Sequence, residues 1–327
     1  MALDIAQSLI DAGIKYRKDL LTMPVAELAD ILQYMFLETG LQGKRIGGRL
    51  ETDAQLRPYR TTKGASDNTT IEAYEFEVFL GDVVKEFDPN AILGTLYTES
   101  TQKKPTDREV ARLVALRMAK RVGEAIYDAM FTAVRKADGE TTADLFNGFS
   151  TQATAAVTAG TLSAEKKNYQ DLTSEVISAA NAGDILKAAY RSINPLLKKQ
   201  KVNMYLPTSI LEMYEDWYQA EFGTAPWNDG FDQSKKTLVG SSGKCSFVPL
   251  DNMEGQDYIF ISVKENMIVG VDQESDKETV KIRECDNPKL VQFFMMAFFG
   301  VGFDTLDSRY LCVLKFTTEE PAPPVGG

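Results

Sequence analysis

The chain of 327 residues contains no histidine, only three cysteines and only two tryptophans. Without imidazole, neither a Ser–His–Asp nor a Cys–His nucleophile system can be built, and no metal site can use an imidazole ligand. Glycine-rich phosphate-binding motifs, a nucleophile elbow and a calcium-binding loop are absent from the sequence as well. The sequence therefore predicts no catalytic residue, no metal site and no cofactor.

The three cysteines, Cys245, Cys285 and Cys312, lie far apart and show no metal-ligand spacing. An odd number of widely separated cysteines is typical of free thiols in a reducing compartment. We expect them to be buried and unpaired.

Long apolar runs are also missing. The longest, residues 290–303, contains Gln292 and is shorter than the roughly twenty residues of a membrane-spanning helix. It predicts a long buried strand instead. Asp4 and Asp11 interrupt the first apolar run of the chain, so we expect neither a secretory signal nor contact with a membrane.

The first third of the sequence predicts two amphipathic helices, at residues 2–20 and 24–38, followed by a projecting hairpin. Within residues 71–84, every second residue is apolar, which is typical of a strand with one buried face; these residues are Tyr74, Phe76, Val78 and Leu80. The turn-rich segment before this strand predicts a two-stranded excursion with its tip near residues 61–68. Because an isolated hairpin is marginally stable in water, it needs a surface to lie on.

An unusually long helix is predicted after the hairpin. Thr106 and Glu109 form a capping box, and residues 137–139 (ADG) end the pattern about thirty residues later. At 1.5 Å per residue the helix would be a rod of about 45 Å. From Arg117 onward its faces separate into a charged side and an apolar side, the latter formed by Met118, Val122, Ile126, Ala129, Met130 and Val134.

The rest of the chain predicts mostly strands. A helix is expected over 171–192, and a strand over 202–206 leads through Pro207 into a helix that has a Ser209/Glu212 capping box and ends at Gly223. Six strands follow, over residues 245–250, 257–263, 267–272, 279–285, 290–303 and 310–316. Helices first and strands later, without βαβ alternation, indicate an α+β fold.

This succession of arm, long hairpin, solitary long helix, strand–proline–helix unit and closing strands resembles the major capsid protein of tailed bacteriophages, the Hong Kong 97-type capsid fold. The segments 202–223, 257–273 and 290–316 carry the resemblance in detail. The resemblance implies five parts: a helical N-terminal arm (1–45), an extended loop hairpin and return (46–100), a peripheral domain (101–181 and 286–305) with a spine helix (107–136), an axial domain (182–285 and 306–317), and a disordered tail (318–327).

The resemblance further implies a structural protein of the virion. Copies of the chain would form hexamers and pentamers of an icosahedral shell around double-stranded DNA, assembled in the cytoplasm of a bacterial host. Expected partners are the chain itself, a separate scaffolding protein, a portal, and packaged DNA through weak non-specific contact. The net charge of −11 fits an inner shell surface that repels the phosphate backbone of packaged DNA, so that the DNA can slide instead of sticking.

Two segments of opposite charge suggest how copies contact one another. Residues 72–88 carry one lysine and six acids (1 − 6 = −5), whereas residues 103–121 carry seven bases and two acids (7 − 2 = +5). We predict that the acidic segment of one subunit lies across the basic segment of the next; solvated faces are the open alternative. The residues singled out are Glu72, Glu75, Glu77, Asp82, Arg112, Arg117, Lys120 and Arg121.

Three further possibilities stay open. Lys63 lies at the expected hairpin tip, where some members of the capsid family form a covalent Lys–Asn cross-link, although an ordinary surface lysine is the simpler interpretation. An encapsulin-like nanocompartment shell would share the fold. A carboxylate-dependent enzyme such as a glycosidase needs only two acids and no histidine.

Overall fold

The computed structural model describes residues 24, 28–51, 70–88, 107–223, 236–272, 279–284 and 290–317. Its helices are α1 (Ala29–Leu32), α2 (Asp107–Ala129), α3 (Phe149–Thr158), α4 (Ala182–Ser192), α5 (Pro195–Lys199) and α6 (Thr208–Phe222). Its strands are β1 (Phe36–Glu38), β2 (Lys44–Glu51), β3 (Thr70–Glu77), β4 (Phe79–Phe87), β5 (Tyr169–Asp171), β6 (Val202–Pro207), β7 (Cys245–Leu250), β8 (Tyr258–Ser262), β9 (Met267–Asp272), β10 (Thr279–Glu284), β11 (Val291–Phe303) and β12 (Leu311–Lys315).

The long strand β11 is the centre of the first sheet. On one side it pairs with β10 along its first half and with β9 along its second half, both antiparallel. On the other side it pairs antiparallel with β4, from Val291↔Phe87 to Phe299↔Phe79. The short strand β1 adds to β9 in parallel. The second sheet has the order β5-β12-β8-β6-β7, and β2 with β3 forms a separate two-stranded sheet.

A cluster of buried aromatic rings joins the two sheets. Phe303 of the first sheet lies 5.9 Å from Phe260 of the second, measured between ring centroids, and Phe131 and Phe149 complete the cluster. All four side chains are at most 1% exposed. Since aromatic side chains bury more surface than any others, this cluster is the centre of the main hydrophobic core.

The second sheet has a further core against α4 and α6. Gly183 of α4 allows the helices to approach closely, because a Cβ atom there would lie 2.0 Å from Cε3 of Trp217. Tyr214 is fully buried beside Trp217, with 5.7 Å between ring centroids. Tyr214 and Trp217 of α6 are therefore packing residues, the simplest interpretation of their sequence pattern.

The six closing strands are confirmed as β7 to β12, with bounds within one residue of those predicted. Helix α6 ends at Gly223, as predicted, in the left-handed conformation with φ 68°. The Ser209/Glu212 capping box is wrong. The backbone N and Oγ of Ser209 both donate to the carboxylate of Glu254, at 2.8 Å each, so a neighbouring turn supplies the cap.

Two of the helix predictions, at residues 24–38 and 171–192, need correction. The helix expected over 24–38 is wrong at its end, because Phe36–Glu38 is strand β1, whose backbone pairs with β9; residues 2–20 lie outside the described ranges. The helix expected over 171–192 begins only at Ala182, because Tyr169–Asp171 pairs in parallel with β12. In each case the segment pairs with the open edge of a distant strand, and this tertiary contact overrides the local helical pattern.

The long helix α2 is confirmed but ends at Ala129, seven residues before the predicted end at 136. The chain turns there because the carbonyl groups of Met130 and Phe131 accept the backbone amides of Phe149 and Ser150. Val134, predicted to be on the apolar face, is 50% exposed. The side chains of residues 107–115, where the apolar stripe was expected to shift, lie outside the described part.

The single strand predicted over 71–84 is divided at Val78. β3 belongs to the hairpin with β2, whereas β4 belongs to the first sheet. Phe76 and Val78 are buried as predicted, but Leu80 is 44% exposed.

The pairing of the strands also bears on the expected domains. Strands β9 and β10 were expected in the axial domain, but both pair with β11, which was expected in the peripheral domain. The domain division itself stays a prediction.

Candidate intersubunit surface

Near its root, at residues 44–47 and 74–77, the hairpin β2–β3 has one face toward the body and one face toward solvent. The register Arg45↔Phe76 and Gly47↔Tyr74 sets the inner face. On the outer face, Ile46 is 69% exposed. The outer pair Lys44–Glu75 has 3.4 Å between its charged atoms, with more than half of each side chain exposed. The hairpin therefore presents an isoleucine among charged residues to solvent.

Three glycines of the first sheet form the seat on which the hairpin root lies. A Cβ atom at Gly302 would lie 2.4 Å from Cδ2 of Phe76, and one at Gly270 would lie 2.7 Å from Cζ of the same ring. At Gly300 the clash would be with the backbone, 2.6 Å from the carbonyl oxygen of Glu77. Side chains at these positions would lift the root off the sheet.

Polar contacts fix the root from two sides. Nε of Arg45 lies 3.1 Å from Oε1 of Glu38, and its Nη1 lies 3.2 Å from Oδ1 of Asp304. The hydroxyl of Tyr74 donates to Oε1 of Gln152 at 3.2 Å. Burial raises the pKa of Tyr74 to about 12, so the hydroxyl keeps its proton and remains a donor at neutral pH. Sequence reasoning missed Arg45, Glu38 and Asp304.

The predicted basic residues partly surround an acid of their own helix. Nη1 of Arg121 donates to Oε2 of Glu124 at 2.7 Å, and this hydrogen bond lowers the pKa of Glu124. The positive charges of Arg117 and Lys120 lower it further. With the acid counted, the three bases and Glu124 carry a formal net charge of +2 (3 − 1), with Arg117 and Arg121 exposed and Lys120 half-buried. The side chain of Arg112 lies outside the described part.

The predicted acidic residues do not share one element. Glu75 and Glu77 belong to the hairpin strand β3, whereas Asp82 belongs to β4 and is exposed opposite Met296 of the first sheet. Glu72 is in β3 by its backbone, while its side chain lies outside the described part, as does the whole of Lys63. Docking of these acids on α2 of another copy stays a prediction.

Sequence reasoning also missed an apolar surface on the first sheet. Leu80 and Val84 of β4 are each 44% exposed, and they pair across the strands with Phe298 and Phe294 of β11, which are half-buried. The segment 290–303 was expected to be entirely core. Gln292, a polar residue on the same face of β11, was the one signal that this face meets solvent.

Metal sites, depressions and reactive thiols are the features that bear on catalysis in the described residues. No group of three or more acids or cysteines among them could hold a metal ion. A depression of about 270 Å³ beside the hairpin root contains Glu265, Asp304 and Tyr310.

Cys245 and Cys312 are free and buried, as predicted, and burial raises the pKa of each thiol to about 12. Among the described helices, none has the length and apolar character needed to span a bilayer.

Comparison with known proteins finds relatives by structure. No family model matches the chain, and no curated protein matches its sequence. A chain of the satellite phage P4 procapsid matches with a TM-score of 0.60 and 13% identity, covering 91% of this chain and 90% of that one. The capsid of a native GTA particle matches with a TM-score of 0.58 and 13% identity, covering 89% and 90%.

An encapsulin also matches. The holo-SrpI encapsulin complex from Synechococcus elongatus PCC 7942 gives a TM-score of 0.52 and 11% identity, covering 91% of this chain and 90% of that one. The predicted α+β fold of the capsid type is therefore confirmed over most of the chain. Phage heads and a nanocompartment share this fold, so other observations must distinguish between them.

Proposed function

We propose that this protein is the major capsid subunit of a tailed phage, a structural rather than catalytic protein that assembles into hexamers and pentamers of an icosahedral shell. The observation that carries the proposal is the hairpin β2–β3, which is held to the body at its root while Ile46 on its outer face is 69% exposed. A two-stranded hairpin is marginally stable alone in water, so a second copy of the chain supplies the missing surface.

The predicted docking of acidic on basic residues completes this proposal. The acids Glu75 and Glu77 are exposed on the hairpin, and Arg121 of α2 is 75% exposed. An exposed ion pair contributes only about 0–1 kcal/mol, so the charges set register more than energy. A closed shell repeats each modest contact many times, and the lattice as a whole becomes stable.

The remaining partners follow from the same proposal. We expect a separate scaffolding protein and a portal, and double-stranded DNA that touches the inner wall weakly because the net charge is −11. Assembly would take place in the cytoplasm of a bacterial host, and the product would be the virion head. We assign the first sheet, including β9 and β10, to the peripheral domain and the second sheet to the axial domain.

Expression of the chain alone tests the proposal. Size-exclusion chromatography with light scattering, followed by electron microscopy, should show closed shells or capsomers, and particles from an infected host should contain DNA. Particles that instead enclose one protein would favour the nanocompartment. A compact monomer at every concentration, with the hairpin folded onto its own body, would refute both.

Charge reversal tests the docking. The triple variant Arg117→Glu, Lys120→Glu and Arg121→Glu should raise the subunit concentration needed for assembly, most strongly at low salt. The matched control reverses three exposed lysines outside α2, namely Lys199, Lys244 and Lys264. If both triple variants assemble as the wild type does, at low and at high salt, the docking prediction is wrong.

A further inference from the structure

We infer that Arg45 is a positioning residue for self-assembly: its bridge between Glu38 and Asp304 fixes the direction in which the hairpin leaves the body. The inference rests on the proposed function, because it explains how the arm reaches a second copy. It concerns the root of the hairpin, not the surface on which the arm lies.

The bridge joins three separate elements. Arg45 belongs to the hairpin strand β2, Glu38 is the last residue of β1, and Asp304 directly follows β11. Both acids are therefore attached to the first sheet, and they contact different nitrogen atoms of the guanidinium. Because Nε contacts Glu38 at 3.1 Å and Nη1 contacts Asp304 at 3.2 Å, the plane of the guanidinium is fixed at two points. A lysine at this position could satisfy only one acid at a time with good geometry.

Burial strengthens the Glu38 arm of the bridge relative to the other ion pair of the hairpin, whereas Asp304 on the second arm is 46% exposed. The side chains of Arg45 and Glu38 are 30% and 24% exposed, whereas those of Lys44 and Glu75 are 58% and 63% exposed. Water and salt screen the inner pair less. The second carboxylate oxygen of Glu38 is buried without a hydrogen bond, so the negative charge there depends on Arg45.

The other described contacts of the root hold its direction less firmly, since a single hydrogen bond joins Tyr74 to Gln152, at 3.2 Å. Phe76 rests on the flat seat of Gly270 and Gly302, and apolar contact is non-directional. The chain enters β2 through Gly43, whose φ of 97° lies in the left-handed region that glycine tolerates best. A hairpin seated on a flat apolar floor and entered through a glycine can tilt, unless a polar bridge prevents it.

A small tilt would matter because the hairpin is a lever. Strands of eight residues extend about 26 Å from the root. A tilt of about ten degrees would then move the far end by about 4.5 Å, close to the distance between neighbouring strands. An arm displaced by that much meets its partner out of register.

The direction of the hairpin is measured in the unassembled subunit as the distance between two spin labels. One label is attached at Glu51→Cys, at the far end of β2, and the other at Val176→Cys, on the body. Cys285→Ser removes the third thiol, while Cys245 and Cys312 are buried. We expect a narrow distance distribution in the wild type, a width at least doubled in Arg45→Ala, and an intermediate width in Arg45→Lys. The control Lys136→Ala, which breaks the 2.8 Å pair with Asp144 and leaves the three residues of the bridge intact, should match the wild type.

Assembly is measured on the same variants without labels. We expect Arg45→Ala to raise the subunit concentration needed for assembly about tenfold, with circular dichroism unchanged, and Arg45→Lys to restore part of the loss. Should Arg45→Ala fail to fold, the variant Asp304→Asn is used in its place in both measurements, because it removes one arm of the bridge.

An equally narrow distribution in Arg45→Ala, a wild-type distribution already as broad, or a broadened arm that assembles normally would each overturn the inference. The two measurements also separate it from the proposed function. If the wild type itself never assembles, the capsid proposal and the assembly role of Arg45 fall together, while the spin labels still decide whether Arg45 fixes the direction of the hairpin.

Discussion

Gly302→Ala tests whether the hairpin root is seated by steric fit on the first sheet. Gly302 lies in β11 and its φ is not in the left-handed region, so alanine brings no backbone strain there. The only cost is contact: the new methyl carbon would lie 2.4 Å from Cδ2 of Phe76, whereas carbon atoms prefer about 3.5–4.0 Å. Phe76 is 3% exposed, so the ring cannot move into solvent without leaving its packed position.

The magnitude follows from this overlap. Overpacking of a filled core costs about 1–3 kcal/mol of the free energy of unfolding, and Phe76→Ala alone costs about 3–5 kcal/mol through lost burial and a cavity. In the double variant, the methyl group added at position 302 enters the space that the ring has left. The free-energy loss of the double variant should therefore fall short of the sum of the single losses by about 1–3 kcal/mol.

Urea denaturation of dilute, unassembled subunits measures all four corners of this cycle. Gly81→Ala is the control, because the three atoms nearest to its Cβ would all belong to the side chain of Leu145, from Cδ2 at 2.8 Å to Cγ at 3.6 Å, and a leucine end can rotate away. We expect the control to cost less than about 1 kcal/mol. Single losses that add to within about 0.5 kcal/mol in the double variant would refute the steric seat.

Two further predictions concern the body of the subunit. Tyr205→Phe should lower the free energy of unfolding by about 0.5–1.5 kcal/mol in urea, because the fully buried hydroxyl of Tyr205 donates to the carbonyl of Tyr34; an unchanged midpoint would contradict this. Hydrogen bonds from Lys136 and then Thr141 lower the pKa of Asp144 from 3.8 to about 2, so its stabilising effect is complete above pH 3.8 and is lost as the pH falls to about 2. Asp144→Asn should therefore be less stable than the wild type at pH 7 and equally stable near pH 2, and a constant difference across this range would contradict the assignment.

The strands after residue 245 could be predicted from the sequence because each buries a continuous or alternating apolar pattern between turn residues. β11 is the clearest case: a long apolar run too short for a bilayer has no soluble alternative except a buried strand or core helix. The end of α6 could be predicted too, since Gly223 adopts the left-handed φ that ends a helix. These features depend on residues that are close together in the chain, so a single sequence is enough to predict them.

Features that depend on distant partners could not be predicted. Strand β1 exists because β9 offers an open edge 232 residues later, as the pairing Phe36↔Ile268 shows (268 − 36). The root bridge joins Arg45 to Asp304, which are 259 residues apart. Neither residue has an unusual sequence context. The hairpin as an element was therefore predictable, whereas the contacts that fix its direction were not.

At Val78 the chain passes from the hairpin strand β3 into strand β4 of the first sheet. The amide of Val78 donates to the carbonyl of Gly43 at 3.0 Å, which closes the hairpin, and its side chain is 2% exposed. Had the alternation of β3 continued beyond it, Leu80 and Val84 would face the core together with Asp82. The chain instead leaves one partner strand and joins another, and the side-chain pattern shifts by one residue.

This shift leaves two aliphatic side chains, Leu80 and Val84, each 44% exposed on an otherwise well-packed sheet. Together with Ile46 on the hairpin, they are apolar surface that a subunit working alone would gain by burying. A soluble monomer rarely keeps contiguous apolar surface without a use for it. The register change at Val78 thus separates the hairpin strand from the first sheet and at the same time leaves an exposed apolar face on that sheet.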